Sequence, residues 1–247
     1  MKRYYIESLG CAKNQVDSEQ LMFLLSGGNW ESVGPEDADI IIVNSCGFIE
    51  SAKQESINTV LAFRKRFPLK KIMLAGCLAV RYAQDLSKSL VEADVIFPSA
   101  DIQKIVEYLF KEGEEGKKDP DAACAQSGIE SEALPPTKNS PRPLRSASQP
   151  LLISGERPLL SLPGSAYIKI AEGCNNSCSF CAIPLIRGSL RSRTIPGIQS
   201  EFEALLKRGV KEINLIAQDS ASYGRDSGES LLAPLLESLL KTSGNFW

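Results

Sequence analysis

Apolar and polar positions alternate between two periods along residues 4 to 112, and the alternation predicts short strands separated by amphipathic helices. Tyr4 to Ser8 reads as a strand and Gln15 to Leu25 as a helix closed by Gly27 and Gly28. Ile40 to Asn44 is an unbroken apolar run suited to the centre of a parallel sheet. A helix from Ser51 to Phe67 is stopped by Pro68, a strand spans Lys71 to Ala75, and a helix spans Val80 to Val91. A short strand from Asp94 to Phe97 and a helix from Ile102 to Phe110 complete the pattern. The expected class is α/β: an open parallel sheet with helices on both faces.

From residue 113 to 163 the period is lost, and GEEGKKDPDAACAQSGIESEALPPTKNSPRPLRSASQP is rich in Pro, Ser and charge. That composition predicts a flexible linker between two domains, 1–112 and 164–247. Strand pattern returns at Tyr167 to Ala171. A helix from Ile198 to Arg208, a strand from Ile213 to Ala217 and a helix from Leu231 to Lys241 follow. These are the first units of a β/α barrel, whose chemistry sits on loops at the carboxyl ends of its strands. Two units cannot close a barrel, so residues 164–247 are expected to be the start of one, the chain being either a fragment or the product of a truncated gene.

A content of 43% hydrophobic residues is enough for a real core, and a net charge of −2 offers no global basic field for nucleic acid. No window reaches the roughly 18 apolar residues of a membrane span, and the first residues lack the apolar run of a secretory leader. A cytoplasmic protein is expected. Seven cysteines in such a chain point to metal or redox chemistry in preference to disulfides.

Cys174, Cys178 and Cys181 stand at C-x3-C-x2-C spacing in EGCNNSCSFCAIPLIRGSLRSR. Three thiolates are one ligand short of a closed zinc site or a four-cysteine iron–sulfur cluster. No histidine completes the set, because the chain has none. A zinc knuckle is the plain alternative. Cys11, Cys46 and Cys77 each follow a predicted strand and each adjoin a glycine, in LGC, SCG and AGC. In an open parallel sheet those positions lie along one edge, where ligands bind. Each cysteine alone reads as a small buried hydrophobe, but the repeated placement predicts convergence on a second three-cysteine site. Cys124, inside the expected linker, has no neighbouring ligand and reads as incidental.

LGCAKNQVDSE, VNSCGFIESAKQES and AGCLA, followed by the C-x3-C-x2-C stretch, resemble the methylthiotransferases of the radical S-adenosylmethionine (SAM) superfamily. GFIESAKQES and KEINLIAQDSASYG resemble the branch that modifies a small-subunit ribosomal protein more than the branch that modifies transfer RNA. The resemblance implies a 4Fe-4S cluster on Cys174, Cys178 and Cys181 that binds SAM and cleaves it to a 5′-deoxyadenosyl radical. It also implies a second 4Fe-4S cluster on Cys11, Cys46 and Cys77, from which a methylthio group reaches the β-carbon of an aspartate. The two clusters are then expected to face one another across the domain interface.

Other residues carry weaker expectations. Phe180 is placed to pack near the adenine of SAM or simply to fill space. Gln218 and Asp219, at the carboxyl end of the second barrel strand, are candidates for polar contact with SAM or for loop capping. Arg187, with Arg191 and Arg193, is a candidate to meet the SAM carboxylate or an acidic substrate loop. The resemblance further implies an electron donor such as flavodoxin or ferredoxin, and a monomer. The rival readings are a transfer-RNA methylthiotransferase and an iron–sulfur or zinc module that binds metal without turnover. Two departures from the family stand out: the stretch 113–163 is long, and the rest of the barrel with the carboxyl-terminal TRAM domain is missing.

Overall fold

A computed structural model describes residues 1–114 and 153–247. Cys124 lies outside the described residues. The first unit runs β1 (Lys2–Ser8), α1 (Ala12–Ser26), β2 (Trp30–Ser32), β3 (Ile40–Ser45), α2 (Glu50–Arg66), β4 (Lys71–Gly76), α3 (Cys77–Ser89), β5 (Val95–Ile96) and α4 (Ile102–Glu114). Its five strands form one sheet in the order β2-β1-β3-β4-β5, and every pairing is parallel.

Period-two alternation along β3 divides the core. Ile40 and Ile42 face Leu21, Leu25, Ile105 and Leu109 of α1 and α4, with Met73 from β4 beside them. Ile41 and Val43 face Val60, Leu78 and Leu86 of α2 and α3 on the other side, with Ile72 and Leu74. Both faces are dry, which is why the strand reads as a continuous apolar run. The edge strand β2 escapes prediction because Trp30–Ser32 is only three residues long and offers no alternation.

The second unit runs β6 (Ser165–Lys169), β7 (Ala171–Glu172), α5 (Ile183–Arg187), β8 (Arg191–Ser192), α6 (Ile195–Lys207), β9 (Glu212–Ile216) and α7 (Leu232–Leu240). Strands β6 and β9 pair in parallel, while β7 and β8 form a small antiparallel pair. Helix α6 begins with Thr194 as its cap, the side chain accepting from the Gly197 amide, and with Pro196 in its first turn. Ile198, Phe202 and Leu205 of α6 pack with Leu235 and Leu239 of α7 over Ala166 and Ile168. This is the expected opening of a β/α barrel. Among the described residues no helix is long and apolar enough to cross a membrane.

The two units meet on α1, whose buried residues include Asn14, Asp17, Ser18 and Glu19 as well as Val16 and Leu21. A helix polar on a buried face needs partners there: Ser18 bonds with Ser8 and Asn44 of the first unit, while the second unit supplies partners to Asp17 and Glu19. Arg157, within the stretch whose composition reads as linker, is fully buried. It donates from Nε to Glu19 at 2.9 Å and from Nη2 to the Tyr167 carbonyl at 2.6 Å, and pairs through Nη1 with Glu201. The Leu160 amide adds a 2.8 Å bond to Glu19. Arg193 closes the chain of charges by pairing with Glu201.

Candidate metal and cofactor centre

Each cysteine of the first unit occupies the turn from a strand into a helix. Cys11 is the N-cap of α1, Cys46 lies between β3 and α2, and Cys77 opens α3 behind Gly76. Cys11 is exposed, whereas Cys46 and Cys77 are buried. Cys46 is held from α2: its amide donates to Ser56 Oγ, which donates back to the Cys46 carbonyl, both at 3.1 Å.

The neighbouring glycines permit this crowding. Gly10 has φ +91°, and a Cβ there would lie 2.5 Å from Cys46 Cβ and 3.0 Å from its Sγ. At Gly76, φ +87°, a Cβ would lie 2.6 Å from the Ser45 carbonyl oxygen. Asn14 links all three turns: Nδ2 donates to the Leu9 carbonyl at 3.0 Å and to the Ser45 carbonyl at 2.9 Å, while Oδ1 accepts from the Cys77 thiol at 3.5 Å. Sequence reading missed Asn14.

The second trio lies in the loop between β7 and α5. The Cys174 amide donates to the Gly188 carbonyl and the Cys181 amide to the Cys178 carbonyl, each at 3.1 Å. Cys174 Sγ accepts from the Asn176 amide at 3.4 Å. Asn176 Nδ2 reaches Asp219 Oδ2 at 3.0 Å and ties the loop to the carboxyl end of β9. Cys178 is exposed, with Cys174 and Cys181 half-buried.

Phe180 is 85% exposed and fills no core. Asp219 caps the turn after β9, accepting from the Ala221 amide at 3.2 Å and from Ser222 Oγ. Bonds from Ser222 and Asn176 hold its carboxyl below the ordinary value. Gln218 Nε2 donates to Glu172 Oε1 at 2.7 Å, and its buried Oε1 meets no donor among the described residues.

Arg187 points away from its own loop toward the other trio. Nη2 donates to Cys77 Sγ at 3.2 Å and to Asn14 Oδ1 at 2.5 Å, and Nη1 pairs with Asp17. The side chain is buried and committed to these partners. Arg193 is likewise committed to Glu201, and Arg191 lies on β8 opposite Glu172.

Lys169 Nζ completes the cluster, pairing with Asp17 and with Glu172 at 2.6 Å. Burial works against the charge on Glu172, yet Lys169 and Arg187 outweigh it and bring its pKa down to about 2. Burial opposes the charges of Lys169 and Arg187 too, and Asp17 with Glu172 overrides it, raising both above their ordinary values. Burial pushes the Cys77 thiol up, and Arg187 draws it part of the way back. Asp17, Lys169 and Glu172 carry no sequence signal of this role, since isolated charges in a helix or strand read as solvated.

Cys77 packs with Ala182, the residue after Cys181, and with Ile186 of α5. Among the described residues no three acidic or thiol side chains are gathered tightly enough to grip a single ion. A four-iron cluster asks for a wider set, since each cysteine ligates a different iron. The glycine cradle, the thiol donors and the amide directed at Cys174 fit such a group.

The uncharacterized protein family UPF0004 matches residues 3–98. The ribosomal protein uS12 methylthiotransferase RimO of Treponema denticola is 45% identical over 253 aligned residues, covering 96% of this chain and 50% of the relative. Its namesake from Desulfotalea psychrophila is 39% identical, covering 98% and 51%. That of Carboxydothermus hydrogenoformans is also 39% identical, covering 99% and 51%. Over nearly its whole length the chain is thus similar in sequence to methylthiotransferases named RimO. The chain spans about half the length of the curated relatives it matches. Among solved structures, the cobalamin-dependent S-adenosylmethionine radical enzyme OxsB, with aqua-cobalamin bound, superposes with TM-score 0.57 at 13% identity. That match covers all of this chain and 38% of the other and speaks to the fold alone.

Proposed function

We propose that the chain carries the two cofactor-bearing units of a radical SAM methylthiotransferase. The whole enzyme adds a methylthio group to the β-carbon of an aspartate in the small-subunit ribosomal protein uS12. The observation that carries this reading is the contact of Cys77 with Ala182 and Ile186, which packs one cysteine of the first trio against the residues that follow the other.

In this reading Cys174, Cys178 and Cys181 hold one 4Fe-4S cluster and Cys11, Cys46 and Cys77 a second. Such clusters supply one-electron SAM cleavage at the first site and sulfur transfer at the second. The protein's own work is positional. Gly10 and Gly76 let the strand ends close on one another, and Asn14 fixes the three turns. The Asn176 to Asp219 bond holds the Cys174 loop against β9. Gln218 Oε1 is suited to accept from the ammonium of SAM, and the exposed Phe180 ring offers a face to its adenine. An electron donor such as flavodoxin or ferredoxin supplies the reducing equivalents to a cytoplasmic monomer.

The test is to incubate the full-length enzyme anaerobically with SAM, reductant and either uS12 or transfer RNA. Mass spectrometry is expected to find the methylthio increment on an aspartate of uS12. An increment on transfer RNA alone assigns the enzyme to the other branch, and neither product refutes the reading.

A further inference from the structure

Arg187 belongs by sequence to the Cys174–Cys181 loop and by contact to the other trio. Its side chain is 4% exposed, and each of its directions is taken. Nη1 faces Asp17 and, at 3.5 Å, Glu172 Oε1, while Nη2 faces Asn14 Oδ1 and Cys77 Sγ at 2.5 and 3.2 Å. Two cations, Lys169 and Arg187, balance two anions, Asp17 and Glu172, in this buried space. The guanidinium is thereby fixed with one N–H edge on sulfur.

A planar guanidinium suits this task better than an ammonium, because one rigid fork serves a carboxylate and a sulfur at once. Hydrogen bonds and nearby positive charge at a ligand sulfur raise the reduction potential of an iron–sulfur cluster. Asn14 makes the contact specific to the assembled site, since the oxygen that receives Arg187 sits on the residue tying down the turns of Cys11 and Cys46.

We infer that Arg187 is a positioning residue of the Cys11, Cys46 and Cys77 site: from across the domain interface it donates to the Cys77 sulfur and raises the reduction potential of the cluster held there. The inference rests on the two-cluster reading above. Docking of the second unit thereby sets the redox poise of a cofactor ligated wholly by the first.

The experiment uses the chain with Cys174, Cys178 and Cys181 replaced by alanine, so that only the first trio binds iron. Into it go Asp17→Asn alone and Asp17→Asn with Arg187→Met, a pair that removes one anion and one cation together and leaves Lys169 with Glu172. After anaerobic reconstitution, potentiometric titration followed by electron paramagnetic resonance is expected to give a lower potential for the double replacement than for Asp17→Asn. Arg187→Lys, which keeps a charge but not the fork, is expected to shift the potential in the same direction and by less. It decides the matter if the double replacement does not fold. Equal potentials overturn the inference and leave the two-cluster reading intact. Absence of iron from the parent with an intact first trio overturns both.

Discussion

The two cysteine trios are built by opposite means. Cys174, Cys178 and Cys181 sit within eight residues of one loop, and what holds them is local: the Gly188 carbonyl, the Asn176 amide and one side-chain bond to Asp219. Cys11, Cys46 and Cys77 come from three strands and depend on sheet register, on glycines that tolerate close approach, and on Asn14. The loop trio is legible as a motif, with Cys178 open to solvent; the sheet trio exists only once the sheet has formed. The seam between them is charged and dry, so each region is held in place by the other.

Breaking that seam is expected to have the largest effect. Arg157→Met leaves Glu19 buried without its guanidinium partner and is expected to cost about 3–5 kcal/mol, measured by urea unfolding. Both regions should lose order together in hydrogen exchange, because Arg157 joins Glu19 of α1 to Glu201 of α6.

Next come two of the crowded glycines, which sharpen the contrast. Gly76→Ala drives a Cβ against the Ser45 backbone inside the sheet, and Gly173→Ala drives one to 2.1 Å from the Ser189 carbonyl oxygen beside Cys174. Each is expected to cost about 2–4 kcal/mol, but with different readouts. Gly76→Ala should lower the melting temperature of the whole chain and iron binding at the first trio. Gly173→Ala should chiefly lower iron binding by the loop.

Gly188 has φ +77° with nothing within 4 Å of its absent Cβ, so Gly188→Ala meets backbone strain alone. A loss of about 1–2 kcal/mol in thermal unfolding is expected, with iron content retained.

The smallest effect belongs to the exposed Arg3 and Asp39 pair, 3.0 Å apart at the rim of the sheet. The hydrogen bond from Arg3 holds the Asp39 carboxyl below its ordinary value. Its contribution is therefore present above the ordinary carboxylate pKa and lost as pH falls through the lowered one. Solvent and salt screen such a pair, so Asp39→Asn should leave the melting temperature at pH 7 almost unchanged and only slightly flatten its decline in acid.

The same contrast explains what the sequence discloses. Ile40 to Asn44 and Lys71 to Ala75 are legible as central strands because apolar burial on both faces leaves an unbroken run. Cys77 is legible as following a strand, though the helix begins at Cys77 itself and not at Val80. The interface is not legible: Asp17 and Glu19 look like the wet side of α1, and Arg157 falls in a stretch whose composition reads as linker. Periodicity reports where apolar groups are hidden, whereas a charge hidden by pairing depends on a partner far away in sequence. Arg187 shows the consequence, since its place among Arg191 and Arg193 suggests a surface for anions and its true neighbours are Asp17, Asn14 and Cys77.

The central claim is that both trios carry clusters. It is tested most directly by anaerobic reconstitution of the chain, with iron and sulfide quantitation, beside the form in which Cys174, Cys178 and Cys181 are alanine. About eight irons per chain falling to about four is the predicted result. About four irons in the native chain, all lost in the triple replacement, would leave Cys11, Cys46 and Cys77 without a cluster and contradict the account.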